Sequence, residues 1–290
     1  VLRNPSEKLT NAMIMIIIGS IALLCIVPMI HIFALSFSGN RALMSGEVFL
    51  WPVDWNLNSY KEIFSDMAMI RSLMLTVILV TVYTGIALAM TTIAAYALSR
   101  RDFKGKNIMF GMIIITMFFN PGIIPNYLLM KELHLLDSLA SLILPIAINA
   151  FLLIIMKTSF SQIPTELEDS AWMDGCNHFR FLIQIVLPLQ VPILVTIALY
   201  SAVDRWNMFQ DALFYINNID LYPLQLKLYQ LVINSQVNDA TAQEGFNSST
   251  PIPQGLQSAS IVFATLPIIL VYPWVQKYFI SGRLVGAVKG

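Results

Sequence analysis

Charged residues make up only 12% of this 290-residue chain, and its 17 Lys and Arg cancel its 17 Asp and Glu, leaving a formal net charge of zero. A chain with no excess of positive charge lacks the electrostatic footprint of a nucleic-acid binder. Cysteine is equally scarce, with Cys25 in an apolar stretch and Cys176 in a polar connection. Two thiols so placed cannot pair within one chain, which excludes a disulfide framework. His31, His134 and His178 fall on three separate segments, and no His or Cys pair has zinc-ligand spacing, so no metal site is expected. The phosphate-cradling pattern Gly-x-x-x-x-Gly-Lys-Ser/Thr is absent, so the chain should hydrolyse no nucleotide and bind no cofactor itself. At the membrane faces there are no clustered acids, no Ser/His pair and no metal ligands. No catalytic residue is assigned and an enzyme is not expected.

What is present is apolar surface: 57% of residues are hydrophobic and the mean hydropathy is +0.71, outside the soluble globular range. Residues 9–40, 72–99, 107–130, 138–156, 181–203 and 245–276 contain no Asp, Glu, Lys or Arg. Each is long enough for the roughly 20-residue helix that crosses a bilayer, the fourth being the tightest fit. Hydrocarbon offers backbone amides no partner, so the spans must be helical, and barrel strands would alternate polar with apolar. The sequence therefore predicts an all-α integral membrane protein in a single domain, residues 1–290, with spans at about 12–37, 72–98, 108–130, 138–156, 183–203 and 259–278. The run from Ala12 to Phe37 exceeds a signal-peptide core and has no small-residue cleavage site, so the first span is expected to be retained.

Orientation follows from basic residues on alternate sides of the spans. Arg3, Lys8, Arg100, Arg101, Lys104, Lys106, Lys157, Arg180, Lys277, Arg283 and Lys289 share one side, against Arg41, Lys61, Arg71, Lys131, Arg205 and Lys227 on the other. The richer side should be cytoplasmic, with both termini and the 157–182 loop inside. Arg100 and Arg101 read as topology anchors. Ion-coupled transporters place ionisable groups at membrane depth, and here only His31 qualifies, read as a neutral His hydrogen-bonded to a neighbouring helix. The other polar groups in the spans are neutral: Asn120, Asn149, Tyr83, Tyr200, Thr196 and Gln190. Any driving energy must then come from another polypeptide.

The loop at residues 157–182 has a mechanical order. Pro164 suits the first position of a helix, and Glu166, Glu168 and Asp169 complement its positive end. Leu167, Ser170, Ala171 and Asp174 recur at helical spacing as one contact face, Gly175 should stop the helix, and Asn177 should cap a second one running through Phe181 into the fifth span. Taken alone, this reads first as a capped helix lying at the interface.

Set between spans four and five, Asp169-Ser170-Ala171-Trp172-Met173-Asp174-Gly175, followed at a distance by Leu187-Pro188, resembles a known loop. It is similar to that of the permease subunits of bacterial ATP-binding-cassette importers of the maltose-type carbohydrate class. Their loop reads Glu-Ala-Ala, two residues, Asp-Gly, then a hydrophobic helix ending Leu-Pro. Asp169 stands for the Glu, with Glu168 beside it, and Ser170 for the first Ala. Trp206-Asn207, Asp211 to Asn217, Leu221 to Gln225, Asn120 to Tyr127 and the tail from Gln276 resemble the branch handling complex saccharides, most of all the second membrane subunit of alginate importers.

The resemblance implies an inner-membrane permease subunit, with Glu168, Asp169, Ser170, Ala171, Asp174 and Gly175 as the coupling helix seated in an ATPase. It implies a homologous second permease, two ATPase subunits that carry ATP and Mg, a periplasmic solute-binding protein and a saccharide cargo. Asn120, Asn149, Tyr200, Trp206 and Asn207 are candidates for the substrate path. Within the 204–257 periplasmic loop, Asn238, Glu244, Phe246 and Pro253 are candidates for binding-protein contact.

Read without the resemblance, that loop begins with aromatics and amides that would suit sugars or a headgroup belt. It continues with a helix carrying Leu224, Leu228, Leu231 and Val232, then a flexible segment from Asn234 to Gln257. Pro121, Pro125, Pro145, Pro188, Pro192, Pro267 and Pro273 should kink the last four spans. Permeases for other solutes, and an ATP-independent channel, are the alternatives.

Overall fold

The computed structural model describes the backbone of residues 5–119, 121–243 and 254–287, and the side chains of residues 10–119, 121–233 and 254–273. All regular structure among them is helical. In chain order the helices are α1 (Pro5–Ser36), α2 (Asn40–Ser45), α3 (Asn58–Ser65), α4 (Met67–Ser99), α5 (Lys106–Phe118), α6 (Ile123–Glu132), α7 (Ala150–Phe160), α8 (Thr165–Met173), α9 (His178–Phe181), α10 (Leu187–Leu189), α11 (Val191–Asn207), α12 (Gln210–Tyr215), α13 (Leu224–Gln243) and α14 (Gln254–Ala287). Short 3-10 turns occupy Leu139–Leu142, Leu144–Ile146 and Ile219–Leu221, and a π-turn occupies Leu182–Val186.

Among the described residues three helical segments are each long and apolar enough to cross a bilayer: Thr10–Ser36 in α1, all of α4, and Gln254–Pro273 in α14. Three further segments meet the same test only as bent pairs. α5 and α6 meet at 118°, Leu139–Ile146 and α7 at 48°, and His178–Leu189 and α11 at 83°. The helices at the expected third, fourth and fifth spans are thus bent, and the bends follow the prolines. Between α5 and α6, Pro121 precedes Gly122, whose φ of 85° is open to glycine and strained for other residues. Pro188 and Pro192 stand four apart and remove amide donors from successive turns, with Gln190 non-helical between them. A lone proline does less: α1 continues through Pro28 and α14 through Pro267 and Pro273.

The chain divides into two compact units, Val1–Ile70 with Lys227–Pro267, and Arg71–Leu226 with Ile268–Gly290. In the first, Ala34, Leu35, Ala42 and Val48 form a small core. Ser38 Oγ donates to the Ala34 carbonyl at 2.7 Å and accepts the Val53 amide at 3.1 Å. None of the most apolar 18-residue window of α1 is buried, as a helix apolar on every side would be in lipid or against a partner. His31 Nδ1 lies 2.5 Å from the Phe49 carbonyl, so its partner is a loop and not the expected neighbouring helix.

Among the described residues of the second unit α4 contributes to two cores. Leu79, Tyr83, Met130, Leu142, Ala212, Tyr215 and Leu226 make one. Ala95, Leu98, Leu153, Met156, Phe160, Ala171, Phe181 and Val186 make the other, under α8 and α9. Beside the first core, Thr76 Oγ1 accepts the Leu224 amide at 2.8 Å, occupying an orphan donor at the start of α13. α13 corrects one expectation: residues 234–243, placed in a flexible segment, are helical. That stretch contains neither Gly nor Pro, and the first breaker is Gly245.

Asp137 clasps two connections together. Its amide donates to the Tyr215 carbonyl at 2.9 Å, and its carboxylate accepts the Asn217 amide and, at 2.9 Å, the Asn218 amide. These two backbone N–H groups hold the carboxyl below the usual carboxylate range. A folded-state value below the unfolded one means the clasp's contribution is full above the ordinary carboxylate range and lost as pH falls through the lowered value. Hydrogen exchange of residues 215–222, corrected for intrinsic rates, should show protection at neutral pH that disappears in acid. Asp137→Asn should be less protected at neutral pH and show no acid step.

Candidate functional site

The candidate site is built around α8. Pro164 (φ −58°, ψ 140°) is the residue before the helix and not its first turn as expected, so Thr165 opens α8, with Glu166 and Glu168 at its positive end. Gly175, at φ 72°, reverses the chain. The Cys176 amide bonds the Ala171 carbonyl at 2.9 Å and the Gly175 amide bonds the Trp172 carbonyl at 3.0 Å, a Schellman closure requiring a left-handed residue at Gly175. Asn177 Oδ1 then accepts the Arg180 amide at 2.8 Å and caps α9, as expected. Two helices and a rigid turn form one knob.

The knob is anchored from α4's end. Arg100 Nη1 lies 2.8 Å from Glu168 Oε1, in a pair whose side chains are 10% and 19% exposed. The guanidinium carbon sits 4.6 Å from the Tyr96 ring centre and 5.5 Å from that of Phe181. Desolvation by these rings strengthens the attraction between the charges. Trp172 fills the space beside them, 5.6 Å from Phe181 and edge-on to His178 at 4.7 Å. Arg100, read from sequence as a topology anchor, is therefore the socket for α8. Only a contact spanning 68 positions reveals this, and no local pattern encodes it.

Among the named coupling residues the structure separates two groups. Ala171 is 6% exposed and packs into the core, which corrects its placement on a contact face with Leu167, Ser170 and Asp174. Glu168 is likewise turned to its own chain. Asp169, Ser170, Asp174 and Gly175 are exposed, with Glu166, Leu167, Met173 and Phe179. Met173 is 88% and Phe179 71% exposed. The knob's free surface is thus large apolar side chains among carboxylates, the composition of a buried protein contact with a charged rim.

The path candidates are also sorted. Asn120 lies outside the described residues. Asn149 Oδ1 caps α7, accepting the Phe151 amide at 2.9 Å and the Leu152 amide at 3.2 Å. Trp206 is buried at 7%. Tyr200 and Asn207 line one cavity of about 420 Å³ together with Val203, Asp204 and Met208. Asp204 was not singled out from the sequence, yet Tyr200, Asp204 and Asn207 recur at four and three residues on one face of α11. Behind them Arg205, 2% exposed, donates from Nη1 to the Leu142 carbonyl at 2.9 Å, lies 3.6 Å from Asp211 and stacks 4.5 Å over Tyr83. Of the binding-protein candidates, Asn238 falls on α13 with its side chain outside the described residues, and Glu244, Phe246 and Pro253 lie outside them altogether. Among the described residues no group of His, Cys, Asp and Glu could hold a metal ion.

Comparison with known proteins agrees with this geometry. Residues 85–284 match the family described as binding-protein-dependent transport system inner membrane component. The polygalacturonan/rhamnogalacturonan transport system permease protein YtcP of Bacillus subtilis is 42% identical over 93% of this chain and 94% of its own length. Protein LplC of the same organism is 42% identical over 94% and 92%. A chain from the crystal structure of a bacterial ABC transporter involved in the import of the acidic polysaccharide alginate superposes with a TM-score of 0.87 and 33% identity, over 96% of this chain and 99% of that one. Such permeases are not enzymes, and the ATPase activity of their transporters resides in a separate subunit. The chain belongs to the binding-protein-dependent transport system inner membrane components, the permease subunits of ABC importers.

Proposed function

We propose that this chain is one of two homologous permeases in a bacterial inner-membrane importer that moves an oligo- or polysaccharide, an acidic one such as alginate included, from a periplasmic binding protein to the cytoplasm. The observation that carries the reading is the anchored knob of α8 and α9. The polygalacturonan/rhamnogalacturonan in the name of YtcP and the alginate imported by the solved transporter support the substrate class. In this reading six spans, three of them broken, cross the membrane with both termini and α8 inside. Two ATPase subunits holding ATP and Mg close on each other and carry the coupling helices inward. Because Arg100 ties α8 to the end of α4, that displacement reaches the helix directly rather than through a slack loop. The paired permeases then open outward, receive the saccharide, and reset on hydrolysis.

Tyr200, Asp204 and Asn207 form this subunit's polar share of the path. A carboxylate, an amide and a phenol at one cavity offer acceptors and donors for sugar hydroxyls. The test is ATP hydrolysis by the reconstituted complex with its binding protein, offered neutral or acidic oligosaccharides. A saccharide-loaded binding protein should stimulate hydrolysis, and stimulation only by a non-sugar solute would refute the substrate class. Asp204→Ala should remove a charge-assisted hydrogen bond worth about 1.5 kcal/mol and raise the transport KM roughly tenfold, with basal ATPase activity unchanged.

A further inference from the structure

A small cavity of about 70 Å³ opens where α4 and α7 end and α5 begins, lined by Leu98, Ser99, Lys106, Asn107, Phe110, Lys157 and Ser161. Both lysines are half-buried. Lys106 Nζ donates to the Arg100 carbonyl at 2.9 Å and the Arg101 carbonyl at 3.3 Å, leaving its third N–H. Lys157 Nζ lies 4.7 Å from the Phe110 ring centre. Neither pairs with a carboxylate among the described residues, and Glu168 of the knob is taken by Arg100. No acidic side chain lines the cavity. Capping α4 explains one of the ammonium groups and the ring face part of the other. Neither explains two partly desolvated cations converging on a polar hollow with no counter-charge, an arrangement that costs free energy until an anion enters.

We propose that this cavity binds a phosphate group through Lys106 and Lys157, with Ser99, Asn107 and Ser161 supplying further polar contacts. It has room for several waters, and so for one tetrahedral anion. The phosphate has two sources of the same chemistry, an anionic phospholipid headgroup or a free phosphate. Basic pockets between membrane helices on the cytoplasmic side favour the headgroup. The lipid source rests on the orientation proposed above, whereas phosphate binding as such does not. A bound anion would tie α4, α5 and α7 together at the frame from which α8 hangs, since α7 ends at Phe160 and α8 starts at Thr165.

The experiment is competitive acylation of lysines in the assembled importer, read by peptide mass spectrometry, with exposed Lys104, which does not line the cavity, as the control. In phosphatidylcholine vesicles containing phosphatidylglycerol, Lys106 and Lys157 should be acylated several-fold more slowly than in phosphatidylcholine alone, while Lys104 changes little. The protection of Lys106 should fall away in Lys157→Gln. Protection by inorganic phosphate in phosphatidylcholine, without any effect of phosphatidylglycerol, would assign the site to a free anion and overturn the lipid source, leaving coupling and transport tests of the permease untouched. Protection by neither, or equal protection of Lys104, overturns the site.

Discussion

Deletion of Asp174 and Gly175 should abolish transport and the stimulation of ATP hydrolysis by the loaded binding protein, while the subunit still inserts and assembles. The two residues supply the end of α8 and its left-handed reversal. Without them the Cys176 amide cannot reach the Ala171 carbonyl, and α9, with the exposed Phe179, is rotated relative to α8 and its exposed Met173. Gly175→Val is the graded version. A Cβ there would meet nothing within 4 Å, so the cost of the substitution begins with backbone strain. A left-handed β-branched residue costs about 1–2 kcal/mol, which should slow transport without ending it. Normal transport by the deletion would remove α8 from the coupling route.

Arg100→Ala should loosen the knob while leaving its exposed surface chemically unchanged. Breaking a buried pair by removing one partner costs about 3–5 kcal/mol, and the 19% exposure of Glu168 lowers the expectation to about 2–3 kcal/mol. Exchange of the Gly175 and Cys176 amides should quicken by one to two orders of magnitude. ATPase subunits should still co-purify, but stimulated hydrolysis should fall. Adding Glu168→Gln should recover part of the loss, because no unpaired carboxylate then remains beneath α8. A double variant as impaired as the sum of the two singles would show that the pair carries no coupling energy of its own.

The two variants divide the knob into what its own sequence builds and what the rest of the chain holds. Local order was legible because it rests on short-range chemistry. Acids at the positive end of a helix, a glycine at its close and an asparagine before the next helix each satisfy backbone groups within a few residues, and Asn177 and Gly175 do so where expected. Pro164 fell one position early because proline fits both the residue before a helix and its first turn. The apolar stretches were legible for a similar reason, since the count of uncharged residues needs no knowledge of neighbours.

Breaks and facings were another matter. Proline positions marked where the third, fourth and fifth stretches bend, but the angles of 118°, 48° and 83° depend on what each half packs against. Helical spacing put Leu167, Ser170, Ala171 and Asp174 on one face, yet Ala171 turned inward into the core that also holds Leu153, Met156 and Phe181. The same folding buried Trp206, whereas Asp204 shares its face with Tyr200 and Asn207 by helical spacing alone.

By itself, then, the sequence determined that this is a helical membrane chain with one acidic, capped helix between its fourth and fifth apolar stretches, because hydropathy and capping act within one segment. The tertiary structure decided that Arg100 holds the knob, that Asp137 clasps the loops at Tyr215 to Asn218, and that Lys106 and Lys157 share a cavity. Each of these joins residues tens of positions apart, and electrostatic partners at such separation are chosen by the packing of helices and by no pattern along the chain.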